Sequence, residues 1–257
     1  WQSNAVERRA LTDALGLWMA NRNQWKKRRW GVSSNLKPAF AADIAGKDLR
    51  LPATERQVRV TYFHAPGEAK RPAALLLHGA GGFDRRLKDY FAYASTLANA
   101  GIDAYLVYYY SADDETGYDF AARYPAWARL VDDLADHLRA QPQSNGKVGL
   151  VGFSNGGILA SGAVALDPDI SAAVIYYGTP PWPLQEPVRR YPPLLILHGD
   201  ADAVISVSAG RELARSAQAL GASVDLVIYP GEAHGFGSNI AGRNGADSLR
   251  AAVSPAS

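Results

Sequence analysis

The sequence predicts an α/β protein with a mostly parallel sheet of about seven or eight strands and helices on both faces. From residue 56 onward, short apolar segments alternate with segments of helical periodicity. Segments such as "AALLLHG" and "LLILHG" are apolar without alternation, as expected of strands that are buried on both faces. Because ligands of parallel sheets bind beyond the carboxyl ends of the strands, the residues that follow each strand are candidates for function.

Each element can be placed along the chain from its own pattern. The first strand, "RQVRVTYF", alternates between apolar and polar side chains. Six further strands are predicted at "AALLLHG", "DAYLVYYY", "KVGLVGF", "SAAVIYY", "LLILHG" and "SVDLVIYP". Asp84 can cap a helix that Gly101 ends, and Pro142 ends another. The predicted helices cover about 85–100, 127–140, "NGGILASGAVAL", 208–220 and 246–253.

The first 55 residues differ from the rest and predict a helical and irregular extension flanking a catalytic domain over 56–257. Residues 1–50 contain ten Lys or Arg and four Asp or Glu, although the whole chain carries only +2. Residues 5–20 have the spacing of an amphipathic helix, and the basic segment "WKKRRW" follows it. Such a basic segment is more often a solvated surface than a site of contact with an acidic partner or an anionic membrane surface. The small net charge gives no reason to expect a nucleic-acid partner.

Cysteine is absent, which excludes disulfides, thiolate metal sites and a cysteine nucleophile. The chain starts at Trp1, as after removal of an export signal, and this favours an exported or periplasmic protein. The five histidines are not clustered with other ligands at metal spacing, so we expect neither a metal nor another cofactor.

The stretch "GLVGFSNGGILA" contains the pattern G-x-S-x-G-G centred on Ser154. Its glycines lack the spacing of a dinucleotide-binding loop, and no G-K-[ST] ending marks a phosphate-binding loop. Two interpretations remain: a glycine turn that only permits close packing of strand and helix, or a nucleophile elbow that exposes Ser154.

Two later strand ends supply the partners that a serine nucleophile requires, namely a base and an acid that orients it. His234 follows the last strand, and Asp200 and Asp202 follow "LLILHG". The chain order is therefore Ser, Asp, His, which is the order of α/β-hydrolases. Asp200 can instead cap the turn, and Asp202 is favoured as the acid because it lies further into the loop.

The oxyanion hole is predicted from two backbone N–H groups. Asn155 follows the nucleophile at the start of a helix. Ala80 lies in the loop "LLLHGAGGF" after an apolar strand, where this fold supplies the second donor. Phe83, Tyr110 and Trp182 are candidate walls of a substrate pocket, although Trp182 can equally be a loop anchor.

The motifs "LLLHGAGGFD", "LANAGIDAYLVYYY", "GLVGFSNGG", "YYGTPP", "LLILHGDADAVI" and "VIYPGEAHGF" resemble the dienelactone hydrolase family of α/β-hydrolases, from about Pro72 to Phe236. The resemblance implies Ser154 as nucleophile, Asp202 as acid, His234 as base, and Ala80 and Asn155 as oxyanion donors. The chain departs from the family's type members, which have Cys as the nucleophile and Glu where this chain has Gly79.

These residues predict a serine hydrolase that cleaves small-molecule carboxylic esters through an acyl-enzyme. The same triad would also serve a peptidase, an amidase or an acyltransferase. The alternative from another class is a binding module on a hydrolase scaffold without activity.

Overall fold

The computed structural model describes residues 44–110, 119–181, 188–239, 242, 244–245 and 247–249. Eight strands form one sheet in the order β1-β2-β4-β3-β5-β6-β7-β8. β2 is antiparallel to both of its neighbours, and all neighbouring pairs from β4 to β8 are parallel. The strands are β1 (Lys47–Pro52), β2 (Gln57–Phe63), β3 (Arg71–Leu77), β4 (Asp103–Val107), β5 (Ser144–Phe153), β6 (Ala172–Tyr176), β7 (Leu194–Gly199) and β8 (Val224–Tyr229).

Helices cover both faces of this sheet, which confirms the predicted fold class. The α-helices are α1 (Leu87–Asn99), α2 (Phe120–Arg139), α3 (Asn155–Leu166) and α4 (Val207–Ala219), and short 3₁₀ helices lie at Asp84–Arg86 and Phe236–Ser238. Apolar side chains of α2, α3 and α4 form one core with one face of the sheet. Side chains of α1 form a second core with the other face. Strands β3 to β7 are almost fully buried because both faces are covered.

β1 was not predicted, because a six-residue segment with three charged side chains and a proline resembles a loop. Among its residues, Leu51 is buried and Leu49 partly so, on one face, while Arg50 and Asp48 are exposed on the other. Asp48 accepts a hydrogen bond from Arg59 of β2 at 2.8 Å. A solvated edge strand needs only this narrow apolar face.

The predicted boundary at residue 55 therefore falls between two paired strands of one sheet. The helix predicted for residues 5–20 and the segment "WKKRRW" lie outside the described residues, so the division into extension and catalytic domain stays a prediction. No helix within the described part of the chain is both long and apolar enough to cross a membrane.

The other boundaries differ from the predictions at helix starts. α2 begins at Phe120 rather than 127, and the Asp119 side chain caps it by accepting from the N–H groups of two first-turn residues. A 3₁₀ turn over Asp84–Arg86 precedes α1, which shortens the helix predicted from residue 85. Of the helix predicted for 246–253, only 247–249 are described, and these are helical.

Candidate active site

Ser154 lies in the sharp turn between β5 and α3, at the carboxyl edge of the sheet. Its backbone has φ 55° and ψ −116°, a strained conformation for a residue with a side chain. Its N–H donates to the carbonyl of Tyr176 at the end of β6, at 3.1 Å. This hydrogen bond fixes the turn to the neighbouring strand, and the Ser154 side chain remains partly exposed.

Two glycines make this turn possible, because strand and helix approach so closely that a Cβ would collide with backbone. A Cβ on Gly152 would collide with the carbonyl of Gly156 in the first turn of α3. A Cβ on Gly156 would collide with the carbonyl of Leu77 at the end of β3. The close packing of strand and helix that one interpretation expected is therefore present, and it holds Ser154 in its strained conformation. The geometry is that of a nucleophile elbow, and the role of Ser154 as nucleophile stays a prediction.

His234, in the loop after β8, bridges Ser154 and Asp202. Its Nε2 lies 2.8 Å from Ser154 Oγ, and its Nδ1 lies 2.7 Å from Asp202 Oδ2. An ionised carboxylate can only accept, so Nδ1 carries the proton and donates to Asp202. In the neutral ring Nε2 then accepts from the Ser154 hydroxyl, as a general base must before it removes that proton.

The structure separates the two candidate acids. The Asp202 side chain is completely buried, and its Oδ1 accepts from the N–H groups of Val204 and Ile205, each at 2.9 Å. Asp200 is exposed, and its Oδ1 accepts from the N–H of Gly231 at 2.6 Å. Asp202 is thus the carboxylate next to His234, and Asp200 ties the loops after β7 and β8 together, as the turn interpretation of Asp200 expected.

The loop after β3 lies beside Ser154. A Cβ on Gly79 would lie 3.4 Å from Ser154 Cβ, so a side chain there would be in van der Waals contact with Ser154. Ala80 follows and is exposed, and its carbonyl accepts from the Tyr110 hydroxyl at 3.3 Å. Asn155 is the first residue of α3, where backbone N–H groups point along the helix axis toward the site. Both predicted oxyanion donors thus flank Ser154, and their role stays a prediction.

His78 supports this loop from beneath. It is buried, its ring stacks on Tyr109 at 4.0 Å, and its Nδ1 donates to the carbonyl of Gly79 at 2.8 Å. Burial lowers the pKa of His78 to about 4, so the ring is neutral at physiological pH. Through its hydrogen bond to Gly79, the neutral ring of His78 helps to hold the turn of this loop.

The three predicted pocket residues have different positions. Tyr110 is partly exposed at the end of β4 and lies against the loop of Ala80. For Phe83 the structure corrects the prediction of an open pocket wall. The residue is only 1% exposed, because its ring packs edge-on against His78, Tyr90 and Tyr108. Phe83 therefore packs in the core next to the loop after β3 and does not form a wall of an open substrate pocket. Trp182 lies outside the described residues.

Two further residues touch the triad and were not selected from the sequence. Tyr177 follows β6 with φ 39°, and its buried ring lies 4.7 Å from that of His234. His198, at the end of β7, lies with its Nε2 3.5 Å from Asp202 Oδ2. The only signal in the sequence was their position at strand ends. Among the described residues, no three His, Asp or Glu side chains converge as metal ligands would.

The family model of the dienelactone hydrolase family matches residues 60–253. A solved structure of a putative dienelactone hydrolase from Klebsiella pneumoniae is similar, with TM-score 0.64 and 18% identity over 81% of this chain and 98% of that one. The structure of a thermophilic carboxylesterase from a metagenomic library is also similar, with TM-score 0.66 and 18% identity over 84% of this chain and 90% of that one. Both likenesses confirm the predicted α/β-hydrolase fold.

A curated relative is acyl-coenzyme A thioesterase 1 of Rattus norvegicus, 32% identical over 133 residues. That match covers 51% of this chain and 29% of the relative, so the chain spans less than a third of the length of the thioesterase. The family model, in contrast, covers most of the chain and includes every strand from within β2 to β8. The protein belongs to the dienelactone hydrolase family.

Proposed function

We propose that the protein is a serine hydrolase that cleaves small-molecule carboxylic esters through an acyl-enzyme. One observation carries the proposal: His234 is hydrogen-bonded at the same time to Ser154 Oγ, at 2.8 Å, and to Asp202 Oδ2, at 2.7 Å. A buried carboxylate, an oriented imidazole and a strained serine at a helix N-terminus form a constellation for nucleophilic acyl transfer. The dienelactone hydrolase family model, which extends across all three residues, supports the same reaction class.

In the first half of the reaction, Ser154 Oγ attacks the ester carbonyl while its proton passes to His234 Nε2. Asp202 holds the Nδ1–H tautomer and stabilises the imidazolium that forms. The backbone N–H groups of Ala80 and Asn155 bind the oxyanion of the tetrahedral intermediate. His234 then donates its proton to the leaving alkoxide, and the acyl group remains on Ser154.

In the second half, His234 removes a proton from water, and the resulting hydroxide attacks the acyl-enzyme carbonyl. Collapse of the second tetrahedral intermediate releases the carboxylic acid and returns the proton to Ser154 Oγ. Every group that the cycle requires lies in the described part of the chain, and the chemistry uses no cofactor.

Thioesters are a second candidate class of substrate. The observation that favours them is the 32% identity to a rat acyl-coenzyme A thioesterase over half of this chain. A thioester carbonyl needs the same nucleophile and oxyanion donors, and its thiolate leaving group depends less on proton transfer from His234.

Hydrolysis assays test the proposal. The wild-type protein and the Ser154→Ala variant are compared on p-nitrophenyl acetate, p-nitrophenyl butyrate, a dienelactone, acetyl-coenzyme A and an aminoacyl anilide. The proposal expects turnover of at least one oxygen ester and a loss of about 10⁴-fold or more in kcat for Ser154→Ala. Faster turnover of the thioester would favour the second class, and equal activity of the two proteins would contradict both.

A further inference from the structure

His198 is a buried histidine beside Asp202, and it approaches the same carboxylate oxygen, Oδ2, that His234 contacts. It is the second-to-last residue of β7, 0% exposed, and follows two apolar residues of the same strand. Its Nε2 lies 2.8 Å from the carbonyl oxygen of Ile205 and 3.5 Å from Asp202 Oδ2. Because a carbonyl oxygen only accepts, Nε2 carries the ring proton and donates a hydrogen bond to the Ile205 carbonyl.

Ile205 is thereby held at both of its backbone groups. Its carbonyl accepts from His198, and its N–H donates to Asp202 Oδ1 at 2.9 Å. The N–H of Val204 donates to the same oxygen, so the loop 202–205 closes around the carboxylate. A substitution at His198 would therefore alter the surroundings of Asp202 in two ways. It would release the carbonyl of Ile205, whose N–H is bonded to Asp202, and it would remove the Nε2 atom that lies 3.5 Å from Asp202 Oδ2.

The environment of Nδ1 indicates that the hydrogen bond from Nε2 to Ile205 is the main reason for a histidine at position 198. Nδ1 is buried and has no hydrogen-bond partner among the described residues. An unpartnered buried polar atom destabilises the fold, so an apolar side chain would be more stable there if Nε2 had no role. Gly210 of α4 leaves room for the ring, because a Cβ on it would lie 2.6 Å from Nδ1.

We propose that His198 is a positioning residue, which fixes the loop 202–205 so that Asp202 Oδ2 faces His234 Nδ1. This inference rests on the proposed function, since it assigns His198 a part in orienting the acid of that triad. Burial lowers the pKa of His198, so the ring is neutral and does not compete with His234 for the negative charge of Asp202. His198 touches neither Ser154 nor substrate and transfers no proton.

The consequence is a prediction about the charge partner of His234. A carboxylate held against an imidazole stabilises the imidazolium, so a displaced Asp202 removes part of that stabilisation. The groups that face His234 are Asp202 and His198 from the end of β7, Tyr177 from the end of β6 and Ser154 from the start of α3. Glu232 lies on the same loop, and its carboxylate accepts from Asn244.

The test compares His198→Phe, which keeps a ring but removes the donor, with His198→Gln, which keeps an N–H at a similar distance from the backbone. Ile196→Ala, two residues earlier in β7 and therefore on the same face of the sheet, controls for lost stability, because its apolar side chain is buried in the core. For each variant, kcat and KM for p-nitrophenyl acetate and the pH profile of kcat/KM are measured. The melting temperature is recorded alongside.

The inference predicts that His198→Phe lowers kcat about 10- to 100-fold with little change in KM. It also predicts that the acid limb of the kcat/KM profile moves to lower pH by about half a unit or more. His198→Gln should recover most of both effects, and Ile196→Ala should lower the melting temperature without moving the acid limb. If His198→Phe does not fold, Gly210→Ala, whose Cβ displaces the imidazole, should produce the same shift.

Two outcomes are distinguishable. If the wild-type protein hydrolyses the ester and His198→Phe has an unchanged acid limb, or shares the behaviour of Ile196→Ala, the positioning role is wrong while the proposed function stands. If the wild-type protein does not hydrolyse any ester or thioester, the proposed function itself is wrong.

Discussion

Replacing Asp202 by Asn tests the assignment of the acid, because the structure gives each carboxylate oxygen a different partner. Oδ1 accepts from the N–H groups of Val204 and Ile205, and Oδ2 accepts from Nδ1 of His234. An amide in this site keeps its oxygen toward the two backbone donors, so its NH₂ group faces His234. Nδ1 must then accept, which places the proton on Nε2 and removes the base from Ser154.

The expected loss follows from this change of tautomer. A wrong histidine tautomer with unchanged geometry lowers kcat by about 10⁴-fold in serine triads, equivalent to about 5.4 kcal/mol of transition-state stabilisation. Asp200→Asn is the matched control, since Asp200 is exposed, its Oδ1 accepts from the Gly231 N–H, and an amide oxygen can do the same. We expect Asp200→Asn to stay within about threefold of wild type.

The assay is the rate of p-nitrophenyl acetate hydrolysis at saturating substrate, with circular dichroism to verify that both variants fold. A near-normal rate for Asp202→Asn, or a 10³-fold loss for Asp200→Asn, would refute the reasoning and exchange the two assignments.

Three further predictions concern two residues beside the site and one carboxylate on α2. Gly156→Ala would press a Cβ into the Leu77 carbonyl, so we expect at least about 3 kcal/mol of lost stability in chemical denaturation; a loss below 1 kcal/mol would contradict the packing argument. Tyr177→Ala removes the ring 4.7 Å from His234 and should lower kcat about tenfold, whereas Tyr177→Phe, which loses only a 3.5 Å hydrogen bond, should remain within about threefold. Equal kcat values for these two variants would count against a role of the ring. Burial and neighbouring carboxylates raise the pKa of Asp132 to about 6, so stability is lost as pH rises from about 4 to 6. Asp132→Asn should therefore stabilise the protein by about 1 kcal/mol at pH 7.5, after allowance for solvent screening, and not at pH 4, as thermal denaturation at both values would reveal.

The proximity of the three proposed triad residues could be predicted from the sequence because each lies in the turn or loop that follows a strand. In a parallel sheet the carboxyl ends of strands share one edge, so Ser154, Asp202 and His234 had to lie near each other once β5, β7 and β8 were recognised. Which of Asp200 and Asp202 faces the histidine could not be decided in this way. The conformation of the loop after β7 decides which carboxylate faces His234, and a separation of two residues allows either of them to do so.

The contacts that the sequence did not predict depend on tertiary packing. Phe83 follows a glycine loop beside the site, yet its ring is buried among other aromatic rings. Tyr177 adopts positive φ, which is rare for a side chain of its size and has no local sequence signal. β1 escaped prediction because an edge strand with one solvated face needs few apolar residues.

Covalent labelling of Ser154 tests the central claim most directly. The wild-type protein and Ser154→Ala are incubated with a fluorophosphonate, and the modified peptide is identified by mass spectrometry. The account predicts one equivalent of label on Ser154, loss of hydrolysis in parallel with labelling, and no label in Ser154→Ala. An unlabelled wild-type protein, or a label on another residue with hydrolysis abolished, would contradict Ser154 as the nucleophile.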